Sequence, residues 1–175
     1  MRRVLVVIDM QNDFIDGSLG TPEAEAIVPR VVEKMRQYEP EDIFLTRDTH
    51  YENYLDTQEG QNLPVVHCVK DTEGWQLRGE IAEAARGAKI VDKPTFGSGQ
   101  LASLLMVERA QRAMELELVG LCTDICVVTN ALLFKTAMPE VPITVDASCC
   151  AGVTPERHRA ALETMKSCQI HVINE

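Results

Sequence analysis

The sequence predicts a three-layer α/β/α protein built on a central, mostly parallel sheet of about six strands. Three observations predict it. Short apolar, β-branched runs alternate along the chain with stretches of helical periodicity, the pattern of repeated βα units. The first run, Val4-Leu5-Val6-Val7-Ile8, is apolar at every position, as a strand covered on both faces must be. The helical stretches also carry readable caps.

In chain order, strand candidates after residues 4–8 are Ile43-Phe44-Leu45, Val65-Val66, Lys89-Ile90-Val91, Leu116 to Val119, Ile143-Thr144-Val145 and Ile170 to Ile173. Pro29 suits a first helical position, with Val31, Val32 and Met35 following at helical spacing. Leu101 to Met114 and Val127 to Met138 are helical, the second apolar enough to be largely buried. Thr154-Pro155-Glu156 supplies an N-cap, an N1 proline and an early acid before Ala161, Leu162 and Met165 on one face. Right-handed crossovers then lay helices over the sheet. The segment from Thr46 to Trp75 differs, being polar with only a short strand inside, and long segments of that kind commonly carry function.

A chain of 175 residues is expected to form one domain spanning 1–175. Hydrophobic residues at 45% with charged residues at 25% argue against disorder. The formal net charge of −10 argues against nucleic acid and anionic membrane as partners, since both need clustered Lys and Arg. Five apolar residues after Met1-Arg2-Arg3 fall short of a signal or membrane segment. Six cysteines are too few for a disulfide scaffold, so the thiols are expected to be reduced and the protein cytoplasmic.

Ligands of open α/β sheets bind beyond the carboxyl ends of the strands. The first strand end delivers Asp9, Gln11, Asn12, Asp13 and Phe14, and the second Arg47, Asp48 and His50. The short strand delivers His67 and Cys68, Lys93 follows Val91-Asp92, and Leu121-Cys122-Thr123-Asp124-Ile125-Cys126 runs directly into a helix. A cysteine at a helix N-terminus faces free N–H groups and a positive dipole end, both favouring thiolate, so Cys126 is expected to be activated there. The plainer alternative is a buried packing cysteine. The same N–H groups can form an oxyanion hole. Lys93 would stabilise the thiolate, while Asp9 takes the thiol proton and returns it to a leaving amine. Together they suit acyl transfer at a small amide through a thioester. Phe14, Gln11 and Trp75 are the candidate pocket wall.

Asp48-Thr49-His50 with His67 offers a carboxylate and two imidazoles to Zn²⁺ or another divalent ion, with Glu59 or Asp56 as a further ligand from the loop between them. Here too a structural role for the histidines is the plainer alternative, and His158 and His171 are expected to be structural. Gly97-Ser98-Gly99-Gln100-Leu101-Ala102 fits G-x-G-x-x-A, with Glu117 20 residues beyond Gly97. Its context excludes a dinucleotide: Lys93 to Phe96 separates the glycines from their strand, and Glu117 precedes its strand end.

Val6-Val7-Ile8-Asp9-Met10-Gln11-Asn12-Asp13-Phe14 with Gly17-Ser18-Leu19 resembles the opening strand and loop of the isochorismatase-like cysteine hydrolases, and within them the nicotinamidase-type amidases. Lys93-Pro94-Thr95-Phe96-Gly97-Ser98 resembles their lysine motif, and Gly120 to Val127 their G-x-x-T-D-x-C-V nucleophile motif. The resemblance runs along nearly the whole chain. It implies Cys126 as nucleophile, Asp9 as base and acid, and Lys93 as third member. It also implies a cis peptide at Leu121–Cys122 that aims the Cys122 and Cys126 N–H groups at one oxygen. Asp48, His50, His67 and Glu59 resemble the family's zinc ligands, although many members have a second histidine where this chain has Tyr51, Asn53 and Tyr54. In metal-binding relatives the ion holds a pyridine nitrogen of the substrate. The implied protein is a homo-oligomeric amidase acting on a small carboxamide, nicotinamide first. N-carbamoyl or ureido substrates, or a non-catalytic redox or binding role for Cys122 and Cys126, are the alternatives.

Overall fold

The computed structural model describes residues 1–175. In chain order the elements are β1 (Arg2–Ile8), α1 (Asn12–Ile15), α2 (Pro22–Met35), β2 (Ile43–Asp48), α3 (Gln58–Asn62), α4 (Gly79–Ala84), β3 (Lys89–Lys93), α5 (Gly99–Gln111), β4 (Met114–Leu121), α6 (Val128–Ala137), β5 (Ile143–Ala151), α7 (Pro155–Ser167) and β6 (His171–Ile173). From Val4 onward β1 is apolar because it has no solvent face there: Val4 to Ile8 are fully buried between two parallel neighbours, β2 and β4. The sheet has six strands in the order β3-β2-β1-β4-β5-β6, all parallel.

Side chains alternate across this sheet and build two cores. Val4, Val6, Ile8 and Phe44 join Leu101 and Leu105 of α5, Phe134 of α6, and Leu162 and Met165 of α7. Leu5, Val7 and Leu45 join Ile27, Val28 and Val31 of α2 and Ile81 of α4 on the other face. The chain winds outward from β1 to β2 and β3, then returns to β4 and winds the other way. That reversal leaves a crevice beyond the carboxyl ends of β1 and β4, where a doubly wound sheet binds its ligands. No helix is long and apolar enough to cross a membrane.

Two sequence expectations are corrected here. Pro29 lies inside α2, which starts at Pro22 under the Thr21 cap, whose hydroxyl accepts the Ala24 N–H at 3.1 Å. Pro29 and Glu25 are both exposed, so the carbonyl that Pro29 leaves without a donor can be hydrated. Val65-Val66 joins no strand, because the free side of β2 is already paired with β3 and Val66 is exposed; the nearby ladder contact is a bridge between His50 and Val69. The glycines of the excluded dinucleotide motif lead into α5, whose N-cap is Ser98, and Glu117 is ion-paired with Lys34 at 2.6 Å and Arg3 at 3.2 Å.

Gly120 permits the close approach of β1 and β4. It has φ +120°, and a Cβ there would lie 2.1 Å from the Ile8 carbonyl oxygen. Gly120→Ala is expected to destabilise the protein by more than about 2 kcal/mol, read as a lower denaturant midpoint at unchanged slope.

Candidate active site

Strand register sets the first contacts. Asp48 and Lys93 are directly paired at the ends of β2 and β3, so their side chains leave the sheet together. Asp9 follows β1 with φ +48°, a left-handed backbone that strains a non-glycine residue. Its Oδ1 accepts the Thr46 hydroxyl at 2.7 Å, and the whole residue is buried.

Lys93 sits between the acids and the thiol. Its Nζ lies 2.7 Å from Asp9 Oδ2, 3.3 Å from Asp48 Oδ1, 3.1 Å from the Thr95 carbonyl and 3.5 Å from Cys126 Sγ. Burial alone would favour the neutral amine, but the charges of Asp9 and Asp48 outweigh it and raise the lysine pKa. Lys93 is therefore an ammonium at neutral pH. Burial raises the Asp9 pKa, with Lys93 opposing it.

Cys126 occupies a wide turn, Thr123–Val127, ahead of α6, in which the Val127 N–H donates to the Cys122 carbonyl at 3.1 Å. The expectation of a resting thiolate is corrected here. Burial and then the Asp9 carboxylate push the Cys126 pKa well above its usual value, and Lys93 recovers only part of this. The residue is 5% exposed, and α6 begins only at Val128. Cys126 thus rests as a thiol, its sulfur 3.5 Å from Lys93 Nζ. The Leu121–Cys122 peptide is cis.

Four ligand atoms of Asp48, His50, Glu59 and His67 lie within 4.8 Å of one another. Asp48 Oδ2 is 2.9 Å from His50 Nε2 and 3.5 Å from His67 Nε2, and Glu59 Oε1 is 3.6 and 3.8 Å from the same nitrogens. His50 Nε2 is buried without a hydrogen-bond partner. His67 Nδ1 lies 2.8 Å from the Val65 carbonyl, which fixes the proton there and leaves Nε2 as a lone pair facing the cluster. Ligand atoms about 2.0–2.2 Å from one ion must lie this near each other, so two imidazoles and two carboxylates fit a divalent cation. Asp56 is exposed and outside the cluster. The site joins the triad through Asp48, which faces His50 and His67 with one oxygen and Lys93 with the other.

The pocket candidates separate. Phe14 sets its ring 5.5 Å from that of His67. Gln11 is a brace instead: its Nε2 donates to the Asp48 and Trp75 carbonyls at 2.8 and 2.9 Å, and its Oε1 accepts the Asp48 N–H at 2.7 Å. Trp75 is 5% exposed beneath the Arg47 guanidinium, 3.7 Å from its ring centre, and donates to Thr49 Oγ1 at 2.9 Å. Both are therefore taken up by packing around the Asp48–His50 segment rather than presented to a ligand.

Asn130 and Tyr54 join the site although the sequence does not single them out. Asn130 Nδ2 donates to the Cys126 carbonyl at 2.8 Å and the Phe96 carbonyl at 3.1 Å, while its Oδ1 accepts the Ser98 N–H at 2.9 Å. It clasps the loop after Lys93 to the nucleophile turn. Its one signal is an amide inside a mostly apolar helix. Tyr54 packs edge-on against His50 and His67, at 4.7 and 5.0 Å between ring centres. His158 Nδ1 lies 2.7 Å from Thr123 Oγ1, bracing the same turn from α7. His171 is exposed on β6.

A thiol, a carboxylate and an ammonium meeting at the switch point of a parallel sheet define the class of α/β hydrolases that work through a covalent thioester. The chain belongs to the isochorismatase family: the isochorismatase domain model matches residues 3–175. It is 26% identical to the nicotinamidase of Saccharomyces cerevisiae, covering 99% of this chain and 100% of that protein. It is 25% identical to the nicotinamidase/pyrazinamidase of Mycobacterium tuberculosis, with 98% of each covered. Among solved structures, the pyrazinamidase of Pyrococcus horikoshii in complex with zinc superposes with a TM-score of 0.80 at 27% identity, covering 100% of both chains.

Proposed function

We infer that the protein is an amidohydrolase that converts nicotinamide, or a close heteroaromatic carboxamide, to the acid and ammonia. The observation that carries this is Lys93 Nζ, which lies 2.7 Å from Asp9 and 3.5 Å from the Cys126 sulfur. The relatives named for this activity match along the whole chain.

Asp9 removes the Cys126 proton as the sulfur attacks the amide carbon. Lys93 stays charged and steadies the developing thiolate. The N–H groups of Cys122 and Cys126 receive the carbonyl oxygen as it becomes an oxyanion. Asp9 then passes its proton to the amine, and ammonia leaves a thioester. Asp9 next takes a proton from water, the hydroxide attacks the thioester, and the released Cys126 sulfur recovers a proton from Asp9. Phe14 supplies an apolar wall for the ring.

Asp48, His50, Glu59 and His67 would hold a divalent ion, and the two imidazoles favour zinc. When bound, such an ion supplies a Lewis-acidic anchor for a ring nitrogen. Dialysis against a chelator is expected to lower ammonia release from nicotinamide about 10-fold or more, with recovery on adding Zn²⁺. Undiminished turnover by metal-free protein would remove the ion from this reading.

The pH profile of kcat/KM tests the proton transfers. The base must be ionised and the nucleophile must still carry its proton. Because the Asp9 pKa is raised, the rate should fall with acid at a pH above the usual carboxylate range. Because the Cys126 pKa is raised too, no alkaline loss should appear at ordinary thiol values. A rise in rate following thiol ionisation would contradict this assignment.

A comparison of ammonia release from nicotinamide with that from N-carbamoyl compounds tests the substrate class. Turnover of only the latter would overturn the carboxamide assignment while keeping the thiol chemistry. All six thiols are free, which supports the cytoplasm as location. Exposed Leu104 and Val107 on α5 support self-association.

A further inference from the structure

Asp13 leaves β1 shortly after Asp9 and takes no part in the chemistry above. Its Oδ2 accepts the Cys68 backbone N–H at 2.7 Å, and its Oδ1 lies 3.5 Å from the Ser18 N–H. Cys68 directly follows His67 and holds φ +47°, a left-handed backbone uncommon for cysteine. The Cys68 carbonyl accepts the His50 N–H at 2.9 Å, and the His50 carbonyl accepts the Lys70 N–H at 2.9 Å. Cys68 is thus the knot between the two histidine-bearing segments, and Asp13 moors that knot to α1, just beyond β1. Gly74 crowds the carboxylate from another side: a Cβ there would fall 2.1 Å from Oδ2. The Asp13 N–H donates to the Gly74 carbonyl at 3.0 Å.

We propose that Asp13 is a positioning residue for the cation site, holding the backbone on which His50 and His67 converge; this rests on the reading that Asp48, His50, Glu59 and His67 bind a divalent ion. A carboxylate accepting a backbone N–H makes a charge-assisted bond, stronger than a neutral one. That bond opposes relaxation of Cys68 out of its strained left-handed conformation. If Cys68 relaxes, His67 swings with it and the donor atoms no longer converge.

The test uses chelator-stripped full-length protein titrated with Zn²⁺ against a chromophoric competitor, with folding followed by circular dichroism and melting. Asp13→Ala is expected to weaken Zn²⁺ binding about 10- to 100-fold, the usual result of losing support behind metal-ligating histidines. Gly74→Ala displaces the carboxylate without removing it and is expected to weaken binding about 10-fold. Asp13→Asn keeps one acceptor for the Cys68 N–H and should fall between wild type and Asp13→Ala. Folded Asp13→Ala and Gly74→Ala proteins that hold Zn²⁺ within about twofold of wild type would overturn the positioning role and leave the metal reading standing. Should Asp13→Ala not fold, the Zn²⁺ affinity of Gly74→Ala alone decides the positioning role by the same threshold. Wild-type protein that binds no Zn²⁺ would overturn both.

Discussion

Cys126→Ala is expected to lower amide turnover by at least about 10⁴-fold, because removing the nucleophile of a coupled catalytic unit abolishes the covalent route. The variant should remain folded, since alanine fits the space of a small side chain and Lys93, which donates to the sulfur at 3.5 Å, keeps Asp9, Asp48 and the Thr95 carbonyl as partners. Mass spectrometry after mixing with substrate should show an acyl adduct on wild type and none on the variant. Ammonia release persisting at a hundredth or more of the wild-type rate in pure Cys126→Ala protein would eliminate the thioester mechanism. Cys126→Ser is the companion measurement: a hydroxyl ionises far less readily beside the same base, so it too should be nearly inactive.

Lys93→Met should cost both activity and stability. Lys93 is 1% exposed between Asp9 and Asp48, themselves 0% and 4% exposed. Removing its ammonium leaves the Asp9 carboxylate buried without a counter-charge and takes one partner from Asp48, which keeps His50 and His67, and breaking a buried pair in this way costs about 3–5 kcal/mol. In a protein of this size that corresponds to a melting temperature lower by roughly 10 °C. The loss should shrink at low pH. Asp9, with its raised pKa, takes up a proton as the pH falls, and the neutral acid no longer needs the lysine. A variant that melts like wild type at neutral pH would show that this ion pair holds nothing together.

The parts legible in the sequence are those governed by local pattern. An unbroken apolar run marks β1, a threonine–proline–acid signature marks α7, and residues at strand ends mark the crevice. The N-terminus of α2 carries the same kind of signature, Thr21-Pro22 matching Thr154-Pro155, but a second proline at position 29 points to a start about two turns too late. Glu59 and Asp56 are indistinguishable in sequence because both lie on one polar loop. The difference arises from Thr57, whose hydroxyl caps α3 by accepting the Gly60 N–H at 3.0 Å, leaving Glu59 turned inward and Asp56 in solvent. Gly60 permits this fit, as a Cβ there would lie 2.1 Å from the Tyr54 carbonyl oxygen. The resting state of Cys126 is not legible, because helix-end position can be read from sequence, whereas total burial against a carboxylate depends on strands far apart in the chain. Asn130 acts through backbone carbonyls and so has no side-chain partner type to betray it.

The Asn130 clasp has a consequence for how such an enzyme could diversify. The loop after Lys93 and the turn that carries Cys126 are locked to one another through Asn130, so neither can shift without the other. The excursion between β2 and β3, which carries His50, Glu59, His67 and Trp75, is instead fastened to this platform by hydrogen bonds with Gln11, Asn12 and Asp13. Mutational drift in that excursion would alter which molecules are admitted while the bond-breaking apparatus beneath stayed untouched, as an interchangeable jaw is refitted to a fixed anvil.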